Sequence, residues 1–292
     1  MSRCYMCPRL CGADRAAGET GYCASGELPT VAYASLHMWE EPCISGTRGS
    51  GTVFFSGCNL RCVYCQNRKI SRSGVGTPMD TDALAEAFLE RQRLGAHNVN
   101  LVTPTHFTRQ IAEALRLARE RGLTVPAVWN SSAYELPREL LALRGLVSVF
   151  LPDLRYVSPD LSTAFSGAPD YFERARAALD AMVSMAPRPV FGPDGMMLEG
   201  VIVRVLLLPG QVEEAKAAVR YLYGTYGDSI YISLMAQYTP VGDMGGYGEL
   251  SRAVTEDEYA ALVDCAVDLG VENGFTQEPG SASESFIPDF GY

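Results

Sequence analysis

Residues 51–67 read GTVFFSGCNLRCVYCQN. The opening TVFF is short, apolar and rich in β-branched and aromatic side chains, as a buried strand requires. Cys58, Cys62 and Cys65 follow at once, spaced C-x3-C-x2-C. A closed structural zinc site takes four protein ligands, and closed iron–sulfur clusters commonly take four thiolates. Three thiols leave one metal position open to a ligand that reacts. Phe54, Phe55, Val63 and Tyr64 surround them with side chains suited to shield a cluster from water. The competing reading is a zinc knuckle that borrows a distant fourth ligand.

Outward from this stretch, strand-like and helix-like segments alternate. TVFF, NVNLV, TVPAVW, LVSVFL, VIVRVLLL and SIYISLM are strand-length apolar runs, each followed by a segment of helical periodicity. The first helix is expected to start on Thr81 as N-cap and stop at Gly95, and the second to stop at Gly122. A short helix, ELPRELLALRG, fits between the third and fourth strands. Six such units predict an α/β fold with a parallel sheet and right-handed crossovers. Six are too few for a closed eight-fold barrel, so a partial (β/α)6 barrel is expected, with its chemistry at the C-terminal ends of the strands. The cysteine triplet stands at one such end. FGPDGMM reads as the turn of a hairpin insert before the fifth strand.

Composition narrows the function. The 292 residues carry a net charge of −10, which disfavours nucleic acid as partner or substrate. No secretory signal and no membrane-length apolar run is evident, so the expected location is the cytoplasm. Of nine cysteines, all but Cys265 lie within the first 65 residues. In a cytoplasmic chain, clustered thiols point to metal rather than disulfides. Cys43 and Cys265 read as small buried hydrophobes. Cys4, Cys7, Cys11 and Cys23, spaced C-x2-C-x3-C-x11-C, could close a site of their own. That layout suits a [4Fe-4S] cluster, with structural zinc as the alternative. The chain thus divides into a Cys-rich N-terminal metal-binding segment (residues 1–50), the barrel (51–272) and a Gly/Ser/Pro-rich tail (273–292). In the LHMWEEP stretch, Glu40 and Glu41 are expected to pair with Arg48, and His37 and Trp39 to pack the segment on the barrel.

CNLRCVYC resembles the C-x3-C-x-aromatic-C signature of the radical S-adenosylmethionine (radical SAM) superfamily. With EEPCISGTRGSGTVFFSGC before it, and VTPTHF and PDLRY downstream, the whole chain resembles the group similar to pyruvate formate-lyase activating enzymes. The resemblance implies a radical SAM barrel with a [4Fe-4S] cluster on Cys58, Cys62 and Cys65, its fourth iron binding the amino and carboxylate groups of SAM. One electron from the reduced cluster would cleave SAM to methionine and a 5′-deoxyadenosyl radical, which abstracts hydrogen from a substrate. The cofactor carries this chemistry; the protein orients it and excludes water.

The resemblance also nominates SAM-binding residues. Where the family has a Gly-Gly-Glu-type stretch for the SAM amino group, this chain has NLVTPTH, and Thr103 and Thr105 stand in. His106 either begins the following helix or acts in catalysis. Asn130 and Ser132, after the third strand, are candidates for the methionine part or the ribose, against a plain loop before a helix. Asp153 and Arg155 match an Asp-x-Lys of the activating enzymes, with Lys changed to Arg. Arg204, a cation within an apolar strand, must meet an anion: the SAM carboxylate or an acidic neighbour. Gln237 and Tyr238 end the sixth strand, and Tyr64 resembles the aromatic that packs by the adenine. The implied activity is hydrogen abstraction from a glycine of a partner protein (a glycyl-radical enzyme), supported by a low-potential flavodoxin- or ferredoxin-type donor. The alternatives are a radical SAM enzyme acting on a small molecule or peptide side chain, and an iron–sulfur electron-transfer or scaffold protein that never cleaves SAM.

Overall fold

A computed structural model describes residues 3–242, 244 and 246–277. Among these, ten strands form β1 (Thr30–His37), β2 (Ser50–Phe55), β3 (Thr77–Pro78), β4 (Val99–Val102), β5 (Ala127–Ser131), β6 (Val149–Pro152), β7 (Val190–Phe191), β8 (Met197–Leu206), β9 (Tyr231–Met235) and β10 (Gly274–Phe275). Helices are α1 (Pro42–Ser45), α2 (Arg68–Ser71), α3 (Thr81–Arg93), α4 (Thr108–Glu120), α5 (Pro137–Leu140), α6 (Pro159–Ser166), α7 (Tyr171–Met185), α8 (Val212–Tyr226) and α9 (Glu256–Leu269).

The sheet order is β10-β9-β8-β6-β5-β4-β2-β1-β3, with β7 on β8. The six expected strands, β2, β4, β5, β6, β8 and β9, run parallel. β2, β4, β5 and β6 are buried along their whole length, which is why they read as unbroken apolar runs. β10 adds a short seventh parallel strand beside β9. β7 and β8 make the expected antiparallel hairpin around the FGPDGMM turn. No helix among the described residues is long and apolar enough to cross a membrane.

Four details differ from expectation. Asp80, not Thr81, caps α3: its extended backbone lets the carboxylate accept from the Ala83 amide at 2.8 Å. The segment before residue 50 contributes β1, which pairs antiparallel with β2 and extends the sheet. An unforeseen helix, α6, fills the connection after β6, with Ser158 as N-cap, Pro159 in its first turn and Gly167 closing it at φ 56°. The tail assigned to 273–292 holds β10, and its residues 278–292 lie outside the described residues.

Among the described residues the apolar side chains form two main cores and a small cluster of Ala32, Phe54, Ile70 and Val102. The larger lies between the sheet and the helices, around Leu101, Trp129, Phe150 and Val203. The smaller lies inside the barrel, where Cys43 and Ile44 of α1 pack on Val128, Val149, Leu151, Met197 and Ile202. Helix α1 therefore fills the barrel floor and carries the turn before it, with Glu40 and Glu41, into the interior.

Candidate active site

The triplet loop leaves the C-terminal end of β2. Cys58, Cys62 and Cys65 line one cavity of about 120 Å³, together with Thr103, Ser132 and Arg155. Each sulfur has a polar neighbour. The Leu60 amide donates to Cys58 Sγ at 3.4 Å, the Ser166 hydroxyl to Cys62 Sγ at 3.0 Å, and the Ser71 hydroxyl lies 3.6 Å from Cys65 Sγ. Burial pushes the Cys58 thiol up to about 12 and raises Cys65 as well. Among the described residues no three His, Cys, Asp or Glu side chains gather around a single-ion point. A cluster asks for something else, because its thiolates bind separate irons. Three thiols on one cavity, each beside a hydrogen-bonding group, fit such a cluster.

Above the barrel floor the strands deliver charge. Arg204 Nε donates to Asp153 Oδ1 at 2.7 Å, Nη1 to Glu40 Oε2 at 3.2 Å and Nη2 to Asn130 Oδ1 at 2.6 Å. Asp153 also accepts from Arg155 at 2.5 Å. Parallel pairing explains this meeting, since Arg204 stands opposite both Asp153 and Ser233. All three guanidinium nitrogens of Arg204 are thus engaged by protein groups. Arg155, by contrast, keeps a buried Nε with no partner among the described residues. Its neighbouring anion, Asp153, holds its pKa well above the usual value despite burial.

The expected pairing of Glu40 and Glu41 with Arg48 does not form. Arg48 lies 2.9 Å from His97 Nδ1, while the turn carries Glu40 inward to Arg204, Asn100 and Asn130. Glu40, Glu41, Asp153, Arg155 and Arg204 line a second, larger cavity of about 340 Å³, which Tyr64 and Cys65 join to the thiols.

The other nominated residues take these positions. Thr103 adopts φ 60° at the end of β4 and lines the thiol cavity. The Thr105 hydroxyl is committed to buried Glu135 at 2.9 Å, which also accepts from Trp129 Nε1 and Ser131 Oγ. Ser132 lines the thiol cavity, and its carbonyl accepts from the Tyr171 hydroxyl. Gln237 lines the larger cavity and accepts from Gln277. Tyr64 is buried edge-on to Tyr156, Phe165 and Tyr238. His106 is fully buried, its Nε2 2.8 Å from the Ser56 carbonyl, and burial lowers its pKa to about 4. It sits in the turn that opens α4, as the structural reading had it. Glu40, Glu41, Glu135 and Ser166 were not nominated.

The N-terminal cysteines dock against the triplet loop. Cys23, Cys4 and Cys11 lie near enough to Cys7 to add to the effect of burial, which pushes that thiol up to about 12. Arg15 donates to Cys23 Sγ at 3.1 Å. Arg9 ties the segment to the loop and α6 through the carbonyls of Asn59, Ser166 and Gly167. Tyr22 adds a hydrogen bond to the Leu60 carbonyl.

Comparison with known proteins shows the family and the fold. Residues 52–222 match the radical SAM superfamily. An uncharacterized protein of Methanocaldococcus jannaschii, MJ0674, is 25% identical over 277 residues, covering 90% of this chain and 74% of that one. Among solved structures, SuiB of Streptococcus suis superposes with a TM-score of 0.52 at 13% identity, covering 77% of this chain and 48% of SuiB. The hydrogenase maturase HydG of Carboxydothermus hydrogenoformans gives 0.50 at 12% identity, covering 79% and 54%. The chain thus spans about half the length of these two solved chains, and the likeness to them is one of fold. A family match that begins in β2, runs through the thiol loop and ends in α8 covers more than half of the sequence: the chain belongs to the radical SAM superfamily.

Proposed function

We propose that this protein binds a [4Fe-4S] cluster through Cys58, Cys62 and Cys65, cleaves SAM reductively, and uses the resulting radical to abstract a hydrogen atom. The observation that carries this reading is one cavity lined by three thiols from the β2 loop and by polar groups from the ends of β4, β5 and β6. When bound, the reduced cluster would supply one electron to SAM, yielding methionine and a 5′-deoxyadenosyl radical that becomes 5′-deoxyadenosine on taking hydrogen.

The chain's own residues bind and orient. Of the cations lining the thiol cavity, Arg155 keeps a spare buried donor, so it is our choice for the SAM carboxylate. Thr103, Asn130 and Ser132 supply polar contacts, Asp153 and Arg204 hold Asn130 and Arg155 in place, and Tyr64 offers a ring face. Thr105 acts through Glu135, and Gln237 borders the substrate side. Cys4, Cys7, Cys11 and Cys23 hold a second [4Fe-4S] cluster, or a zinc ion in the alternative. The electron donor is of flavodoxin or ferredoxin type, and the setting cytoplasmic.

Two hydrogen donors are in play. The resemblance to activating enzymes favours a glycine of a partner protein. The charge-lined cavity of about 340 Å³ favours a small molecule or a peptide side chain, because a glycine brings no group to answer buried charges. Reduced enzyme, SAM and glycyl-radical proteins of the same genome decide between them. A protein radical in the EPR spectrum supports the activating role. SAM cleavage without one, with deuterium passing from a labelled small substrate into 5′-deoxyadenosine, supports the other.

A further inference from the structure

The larger cavity holds one carboxyl more than its cations can answer. Glu40, Glu41 and Asp153 line it, against Arg155 and Arg204. Glu40 is satisfied by Arg204, Asn100 and Asn130, and Asp153 by Arg155 and Arg204. Glu41 is not. It is 8% exposed, and its Oε2 has no partner among the described residues. Burial raises its pKa and Glu40 beside it adds to the rise, while Arg204 and the hydrogen bonds from Ser233 and its own amide oppose it. A buried carboxyl with a free oxygen next to a second carboxylate is costly unless a donor or a cation completes it. Trp39 and Tyr238 also line the cavity, and aromatic faces accept cations. Neither Glu40 nor Glu41 lines the smaller thiol cavity, where Arg155 faces the sulfurs.

We propose that the substrate carries a protonated amine, and that Glu41, presented by the turn between β1 and α1, receives it. This rests on the radical SAM reading and deepens it by naming the substrate class. The amine satisfies the free oxygen, restores the balance of charge in the cavity and fixes one end of the substrate away from the thiols. A free alkylamine and a lysine side chain share this chemistry.

The test uses holoenzyme reconstituted with iron and sulfide, loaded with SAM and left unreduced. Ligand-observed NMR measures the affinity of n-butylammonium, with n-butanol and butyrate as controls of similar size. The expected result is a preference of at least tenfold for the amine, abolished in Glu41→Gln and kept in Glu41→Asp. A blocked Gly-Lys-Gly peptide binding more tightly than n-butylammonium identifies a peptide as the source; the reverse identifies a free amine. No amine preference in the parent protein, or one that survives Glu41→Gln, overturns the proposal. So does a loss of SAM affinity in Glu41→Gln that parallels the loss of amine, since Glu41 would then serve SAM. The reaction itself is read separately, as 5′-deoxyadenosine after reduction. Its absence would sink the enzyme reading while leaving amine recognition measurable.

Discussion

The Ser166 hydroxyl, at the C-terminal end of α6, donates to Cys62 Sγ at 3.0 Å. Behind it the Tyr156 hydroxyl lies 2.7 Å from Ser166 Oγ and 2.7 Å from the Tyr64 hydroxyl. A buried chain of hydroxyls thus ends on one of the three sulfurs proposed to hold the cluster. Hydrogen bonds to cluster sulfurs stabilise the more negative, reduced state.

Ser166→Ala removes that donor. The expected outcome is a cluster potential lower by on the order of tens of millivolts, since a bond to a charged acceptor is worth roughly 1–3 kcal/mol and tenfold is about 59 mV for one electron. An EPR-monitored redox titration checks it. An unchanged potential would mean that Ser166 does not tune the cluster.

Arg204 bridges Asp153 and Glu40 inside the barrel, and all three side chains are largely buried. Arg204→Met leaves two carboxylates without their shared cation. A loss of about 3–5 kcal/mol is expected, read as a fall in the denaturation midpoint. Replacing all three by apolar or neutral residues of similar volume should cost much less. A small loss in the single variant would contradict the idea that this network organises the interior.

Gly57 precedes Cys58 at φ 83°, and a Cβ there would lie 2.3 Å from Ser25 Oγ and 2.5 Å from the Cys23 carbonyl oxygen. The N-terminal segment therefore packs directly on the backbone that leads into the triplet. Gly57→Ala should cost roughly 2–4 kcal/mol, combining left-handed strain with the collision. It should also speed alkylation of Cys23, as thiol-labelling rates will show.

His106 gives a pH dependence. Burial holds its folded-state pKa at about 4, against an ordinary value near 6.5. Between these values the unfolded chain binds a proton that the folded one refuses. Stability from this group is therefore full above about pH 6.5 and falls as pH drops toward 4, by on the order of 3 kcal/mol. His106→Gln should flatten that part of the stability–pH profile relative to the parent. Matching profiles would mean that other groups set it.

The legible parts of this molecule were those written locally. Strands β2, β4, β5 and β6 are buried throughout, so they appear as apolar runs, and Cys58, Cys62 and Cys65 carry their spacing in eight consecutive residues. Strand β1 was hidden because half-buried residues interrupt its alternation. Glu40 was hidden for a different reason: its cation lies 164 residues away, and only the folding of α1 into the barrel floor brings them together. Arg48, the nearer cation, offered the simpler partner and the wrong one. Helix α6 did carry signals, Ser158, Pro159 and Gly167, but at eight residues it passed for part of a loop. Ser166 went unread with it.

The central claim is that the three thiols of the β2 loop hold a cluster that cleaves SAM. The most direct measurement is 5′-deoxyadenosine formed from SAM by anaerobically reconstituted, reduced protein, compared with a Cys58→Ala, Cys62→Ala, Cys65→Ala triple variant. We predict steady formation by the parent and none by the variant. A parent protein with a full complement of iron and sulfide that yields no 5′-deoxyadenosine, or a variant that yields as much, would contradict it.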